Sequence, residues 1–265
     1  MPEGHTIHRL ARHHKAVFAG RPVRVSSPQG RFAEGAAILD GRVLETTDAY
    51  GKHLFHGFDG DRWLHIHLGL YGKFSEGPLP APQPRGALRL RLEGDGIYAD
   101  LRGPTQCELV TPREKAAIAK RLGPDPLRRN ASGDLAGARI ARSRVAIGAL
   151  LMDQSVLAGV GNVYRAEILY RAGVNPYRMG RDLGAETWSA MWDDLRTLMR
   201  DGIRTGRIIT TLPVDRDSPS RRVRGEDAHY VYRRAGLPCR RCGTEVRTAV
   251  MVARNLFWCP VCQAV

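Results

Sequence analysis

Lysine is scarce in this chain: of 41 basic residues among 265, only five are lysines, so amine chemistry has few side chains to draw on. No apolar run approaches the roughly eighteen residues of a membrane-spanning helix, and no amphipathic or lipidation signal stands in for one. The opening residues carry Glu3 and several histidines where a secretory signal would carry an apolar stretch. No internal repeat is evident. Cysteine is sparse too, and four of its five copies form two C-x-x-C pairs. That pattern suits a metal site in a reducing cytosol better than a disulfide framework. Cys107, the odd one, reads as a small buried hydrophobe. Together these absences exclude a membrane span, a disulfide-stapled secreted domain and a repeat array.

What is present is positive charge. The 41 basic residues face 27 acids, a formal net charge of +14 with a pI near 10.2. With no membrane signal beside it, that excess favours nucleic acid as the partner. The length allows two domains and a small module. Residues 1–120 read as a β-rich unit after a short helix over Ile7–Phe18. Alternating runs at 43–47, 53–56, 63–67, 88–92 and 97–99 suggest a sandwich or barrel, and Pro78–Pro84 reads as a loop within it. From Pro112 helical patterns take over, at 113–122, 144–154, 162–172 and 185–205. The stretch 208–225 has little periodicity and reads as a mobile loop. The expected domains are 1–120, 121–225 and a cysteine module at 226–265.

The cysteines follow the pattern Cys239-x2-Cys242-x16-Cys259-x2-Cys262. Two C-x-x-C knuckles complete a tetrahedron of thiolates, which points to one structural zinc and leaves no open position for catalysis. Between them, 246–252 and 256–258 alternate as strands, with Arg254 and Asn255 at or near the turn. A module this small draws its folding energy from the metal. Residues 218–254 hold nine arginines and three acids, +6 of the +14. Arg254 at the hairpin tip offers a fork to phosphate, or is plain solvated surface.

Three further spots carry weight. Gly159-Val160-Gly161-Asn162 links two helices, with Asn162 placed to cap the second, which would offer free N–H groups to a phosphate; it is otherwise an ordinary corner. Gly51-Lys52 forms a turn that displays an amine, for a phosphate or a leaving base, or simply a solvated lysine. After His67-Leu68-Gly69, Leu70 and Tyr71 either fill a gap left by an extruded base or pack in the core. Pro2 gains meaning beside these: once Met1 is removed, its ring nitrogen is a secondary amine able to attack a sugar carbon and form an iminium.

Taken together, Pro2-Glu3-Gly4, Gly51-Lys52, His67-Leu68-Gly69-Leu70-Tyr71-Gly72, Gly159-Val160-Gly161-Asn162, Val231-Tyr232, Gly236, Pro238, Arg254 and the four cysteines resemble the formamidopyrimidine-DNA glycosylase and endonuclease VIII family, nearer the endonuclease VIII branch. The resemblance implies an α+β multidomain protein: a β-sandwich, a helical domain with a helix-two-turns-helix element, and a zinc finger. It implies Pro2 as nucleophile, Glu3 as acid/base, and Lys52 as a catalytic and phosphate-binding lysine. It also implies Asn162 and Arg254 as phosphate holders, Leu70 and Tyr71 as void fillers, and His67 and Arg102 on the DNA. The expected activity is excision of oxidised bases, pyrimidines favoured, with strand cleavage by elimination. The expected setting is a monomer at the bacterial nucleoid, acting on damaged DNA that is duplex, single-stranded or in a bubble.

Two departures stand out. Thr6 replaces the family's usual second glutamate. Gly103-Pro104 replaces an Arg-Phe pair, so contacts to the opposite strand should be weak. Two other readings fit the sequence. A basic zinc-finger protein without chemistry would leave Pro2, Glu3 and Lys52 unused, and a lyase confined to abasic sites would ignore intact oxidised bases.

Overall fold

The computed structural model describes residues 2–218 and 223–264. It divides into two compact units, residues 1–121 and 122–265. The first opens with helix α1 (Gly4–Phe18), which starts three residues earlier than its apolar spacing suggests because Glu3 serves as the N-cap, its carbonyl accepting from Thr6 N at 2.9 Å. Short strands β1 (Arg21–Pro22) and β2 (Arg24–Ser26) lead to helix α2 (Ala33–Leu39). Then come β3 (Val43–Tyr50), β4 (His53–Phe58), β5 (Arg62–His67), β6 (Lys73–Pro78), β7 (Leu88–Glu93), β8 (Ile97–Arg102) and β9 (Gln106–Val110).

Among the described residues these strands form two antiparallel sheets, ordered β1-β3-β4-β5-β9 and β2-β7-β8-β6. Period-two alternation gives each sheet an apolar face. Leu44, Leu54, Leu64 and Ile66 from one sheet meet Val25, Leu90, Leu92 and Leu101 from the other, with Ile7, Ala11 and Phe18 of α1 in the same core. Cys107 joins that core, and burial pushes its thiol up to about 12. Helix α3 (Pro112–Lys120), started by a Thr111–Glu114 capping box, covers Phe55 and Val110 on the outer face of the first sheet with Ile118.

The second unit holds α4 (Asp134–Ile140), α5 (Ile147–Leu150), α6 (Asn162–Arg171) and the long α7 (Ala185–Thr205), followed by the hairpin β10 (Arg247–Met251) and β11 (Arg254–Trp258). The helix expected over 144–154 shrinks to the single turn of α5. Its first donors are taken elsewhere, Ile147 N by Arg178 O and Gly148 N by Pro176 O, and the chain then tightens into i→i−3 bonds at Met152 and Asp153. The segment expected to be a mobile loop is anchored where it is described. Thr210 N donates to Ala228 O at 2.9 Å, Leu212 N to Tyr230 Oη at 2.9 Å, and Thr211 Oγ1 to Asp227 O at 2.6 Å. Its middle, residues 219–222, lies outside the described residues. No helix among them is long and apolar enough to cross a membrane.

Candidate nucleic-acid and catalytic site

In the first unit, the start of α1 fixes Pro2 and Glu3. Pro2 is half-buried and Glu3 is wholly buried. Thr6, in place of the family's glutamate, offers a hydroxyl that lies 3.3 Å from His5 Nε2. Burial, ahead of any neighbouring charge, pushes His5 down to about 4, so this imidazole stays neutral beside the first residues. Met1 lies outside the described residues.

Gly51-Lys52 is the two-residue turn joining β3 to β4, with Tyr50 paired to His53 across it. Gly51 sits at φ +56°, a left-handed conformation that two-residue hairpin turns require. The turn places Lys52, half-buried, at the hairpin's end.

The loop after β5 needs both of its glycines. A Cβ at Gly69, whose φ is +66°, would meet Thr105 Cγ2 at 2.4 Å, and one at Gly72 would meet Leu68 O at 2.2 Å. Leu68 plugs the core, while Leu70 is 39% and Tyr71 85% exposed. That rules out core packing for Tyr71 and leaves an apolar pair standing in solvent. At the base of this loop His67 Nδ1 lies 2.7 Å from Thr105 Oγ1. Burial first, then the charge on Lys52, holds His67 below its usual range. Arg102 ends β8, bonded to Asp100 at 3.2 Å and Ser75 at 3.3 Å, with its guanidinium partly open to solvent.

In the second unit, Asn162 is not the cap of α6. Gly161 occupies the N-cap position, and Asn162, 4% exposed, turns its amide to Asn255 O at 2.9 Å. Arg165, fully buried one turn on, donates to Asn162 Oδ1, to Met251 O at 3.2 Å and to Asn255 O at 3.3 Å. The two side chains thus bolt the finger's hairpin to α6, and they bring Asn162 beside the segment that carries Arg254. Arg254 itself opens β11, just past a turn in which Val252 and Ala253 both have positive φ, 54° and 52°. It is half-buried, and its Nη1 donates to Ala253 O at 2.9 Å. Glu167, also fully buried on α6, accepts from the backbone N–H of Tyr230, Val231 and Tyr232 at 2.8, 2.9 and 2.8 Å. Neither Arg165 nor Glu167 is distinguished in the sequence. The backbone groups they hold beyond residue 229 lie more than 60 residues away, and no spacing announces them.

The four cysteines converge. Their Sγ atoms lie within 4.8 Å of one another, with Cys239–Cys262 at 3.8 Å and Cys242–Cys259 at 3.5 Å. A tetrahedron of thiolates about 2.3 Å from zinc has edges of about 3.8 Å, so the set fits a structural Zn2+ closed to substrate.

The comparisons agree with this geometry. The formamidopyrimidine-DNA glycosylase N-terminal domain matches residues 1–107, the formamidopyrimidine-DNA glycosylase H2TH domain 122–214, and the zinc finger found in FPG and IleRS 236–265. Endonuclease 8 1 of Mycobacterium tuberculosis is 54% identical over 268 residues, covering 99% of this chain and 100% of its own. This chain belongs to the formamidopyrimidine-DNA glycosylase and endonuclease 8 family. A formamidopyrimidine-DNA glycosylase of Roseiflexus sp. is 32% identical over 92% of this chain and 88% of its own. Among solved structures, the Lactococcus lactis enzyme of this family complexed with DNA containing an oxidised pyrimidine superposes with a TM-score of 0.83 at 22% identity, covering 100% of both chains. As a member of the family, the chain is a base-excision-repair DNA glycosylase that binds damaged DNA and carries one structural zinc.

Proposed function

We propose that this glycosylase is bifunctional, removing oxidised pyrimidines through a covalent Pro2 intermediate and then cleaving the strand. The observation that carries the reading is the start of α1, where a proline and a wholly buried glutamate are held together by the helix cap. A model α-amine pKa of about 7.7–8.0 gives a usable neutral fraction at physiological pH. The Pro2 nitrogen attacks C1′, and the base departs with the electron pair of the glycosidic bond and takes up a proton. The sugar ring opens to an iminium on Pro2, with Glu3 beside the ring oxygen. That iminium acidifies the C2′ proton, and its loss expels the 3′ phosphate.

In this reading Lys52 and His67 serve the sugar–phosphate on one side. Asn162 and Arg254 hold phosphates on α6 and its hairpin, and Leu70 and Tyr71 enter the void. Support for Asn162 and Arg254 as one phosphate clamp comes from their shared hydrogen-bonded frame. Gly103-Pro104, where the formamidopyrimidine branch has an Arg-Phe pair, would hold the opposite strand weakly, which favours single-stranded or bubble substrates. The preference for pyrimidine lesions rests on the resemblance to the endonuclease VIII branch, with which the 54% identity to an endonuclease 8 agrees.

Borohydride trapping on a panel of lesions, in single- and double-stranded oligonucleotides, tests the proposal. Processed protein should leave a reduced adduct on oxidised pyrimidines, and Pro2→Gly should lose most of it. Adducts on abasic DNA alone would reduce the activity to a lyase, and robust trapping by protein that retains Met1, whose Pro2 nitrogen is an amide, would move the nucleophile elsewhere, first to Lys52.

A further inference from the structure

Strand β4 carries two glutamate–histidine–histidine chains, one on each face. On the core face, Glu76 Oε1 lies 2.8 Å from His14 Nε2, and His14 Nδ1 lies 2.8 Å from His56 Nε2. On the outer face, Glu108 Oε1 lies 2.8 Å from His65 Nδ1, and His65 Nε2 lies 2.8 Å from His53 Nδ1. Register places His65 directly opposite Glu108, while His53 reaches it on the diagonal, since the β4 residue opposite His65 is Phe55.

The two chains end differently. An ionised carboxylate only accepts, so each neighbouring imidazole must donate to it and must then accept from the next. On the core side the last atom is His56 Nδ1, buried with no hydrogen-bond partner, so the chain stops inside the protein. On the outer side the last ring is His53, the residue after Lys52, half-buried, with its Nε2 left as an acceptor. At the other end Glu108 has a side chain 49% exposed. The outer chain therefore runs from solvent to the Lys52 turn.

We propose that Glu108, His65 and His53 form a proton relay that lets Lys52 exchange protons with solvent while DNA covers the site. The proposal rests on the catalytic reading of Lys52 given above. A proton passes from the Lys52 ammonium to His53 Nε2, the one on His53 Nδ1 to His65 Nε2, and the one on His65 Nδ1 to the Glu108 carboxylate. Glu108 releases it to water, and Lys52 is left a neutral amine. The reverse hops restore the ammonium, so charge and protons balance at each step. The groups facing His53 are Lys52 on its own hairpin, His65 and His67 on β5, and Arg121 just beyond α3. After burial, these all disfavour a charged His53, which is pushed down to about 3. The rings therefore hand protons on without storing charge. Glu108, His65 and His53 are positioning residues that act through Lys52.

Glu108→Gln separates a relay from a mere brace, because an amide oxygen still accepts from His65 but cannot take up its proton. Single-turnover excision on an oxidised-pyrimidine oligonucleotide would be followed across pH in wild type, Glu108→Gln, Glu108→Ala, His53→Gln and Glu76→Gln. The relay requires Glu108→Gln and His53→Gln to slow excision about ten- to a hundredfold and to alter the pH profile, at unchanged DNA affinity. Glu76→Gln, on the chain that stops in the core, should keep the wild-type profile. A Glu108→Gln enzyme as fast as wild type, whether or not Glu108→Ala is slow, overturns the relay, as does an equal loss in Glu76→Gln. A folded wild type that neither excises nor traps any lesion overturns the proposed function, and the relay with it.

Discussion

The sandwich buries Leu54, Leu64, Ile66, Leu90 and Leu101 completely between two sheets. The finger's hairpin buries Leu256 and Phe257 on one side and shows Val250 and Val252, 75% and 55% exposed, to water. The first region is held by apolar area, at roughly 25 cal/mol per Å2 removed from water. The second has too little of it. Four sulfurs, plus the buried donors and acceptors of Asn162, Arg165 and Glu167, take over. Apolar burial tolerates graded damage, whereas a metal and a few polar bolts fail all at once.

Loss of the metal should do the greatest damage. Cys242→Ala should drop zinc content to near zero and abolish both the finger's fold and DNA binding, since binding energies of about 10–16 kcal/mol are at stake in such sites. Leu54→Ala in the sandwich should instead cost about 2–5 kcal/mol, seen as a lowered melting temperature with zinc content unchanged. Equal zinc in wild type and the Cys242 variant would refute the metal assignment.

Arg254→Ala sharpens the distinction, because it should spare the finger and weaken only DNA. Zinc content should match wild type, while affinity falls and the slope of log K against log salt shrinks by about one. A loss of zinc in that variant would mean that the hairpin depends on the arginine for its fold. Smallest in stability is Leu70→Ala with Tyr71→Ala. Both side chains stand in solvent, so melting should move by no more than about 0.5 kcal/mol per site. Excision should drop more on paired lesions than on single-stranded ones, where less unstacking is needed. A uniform drop on both substrates would argue against void filling.

How much of this was legible beforehand depends on how local the cause is. The cysteine knuckles and the Gly51-Lys52 hairpin could be placed from neighbouring residues alone. The sandwich was legible because its strands alternate, but β9 was missed, since its five residues pair only with β5. Helix α2, with a single Ile and a single Leu among small residues, has no stripe to detect. Thr210, Thr211 and Leu212 looked loose for want of periodicity. They are held by Ala228, Asp227 and Tyr230, which no window of sequence brings near. Asn162 starts α6 but does not cap it. Capping is the local habit of asparagine, but Gly161 already occupies the cap and the Asn255 carbonyl lies within reach. The histidine chains are invisible in the sequence because only tertiary structure brings their members together, by strand register for Glu108 and His65 and by packing of α1 between the sheets for His14.

Those histidines leave an imprint on how the molecule meets acid. Seven of the nine, His5, His14, His53, His56, His65, His67 and His229, are held below their ordinary value, and in each burial is the largest cause. In mild acid His5 and His53 therefore stay neutral in the folded protein, while the arginines that meet phosphate do not titrate there. The unfolded chain behaves otherwise, because its imidazoles take up protons from about pH 6.5 downward. With folded values of about 4 at His5 and about 3 at His53, the unfolded state binds more protons through that interval, so stability declines as pH falls from 6.5. Acidification thus acts as a fuse: the working surface stays constant in character until the scaffold beneath it gives way.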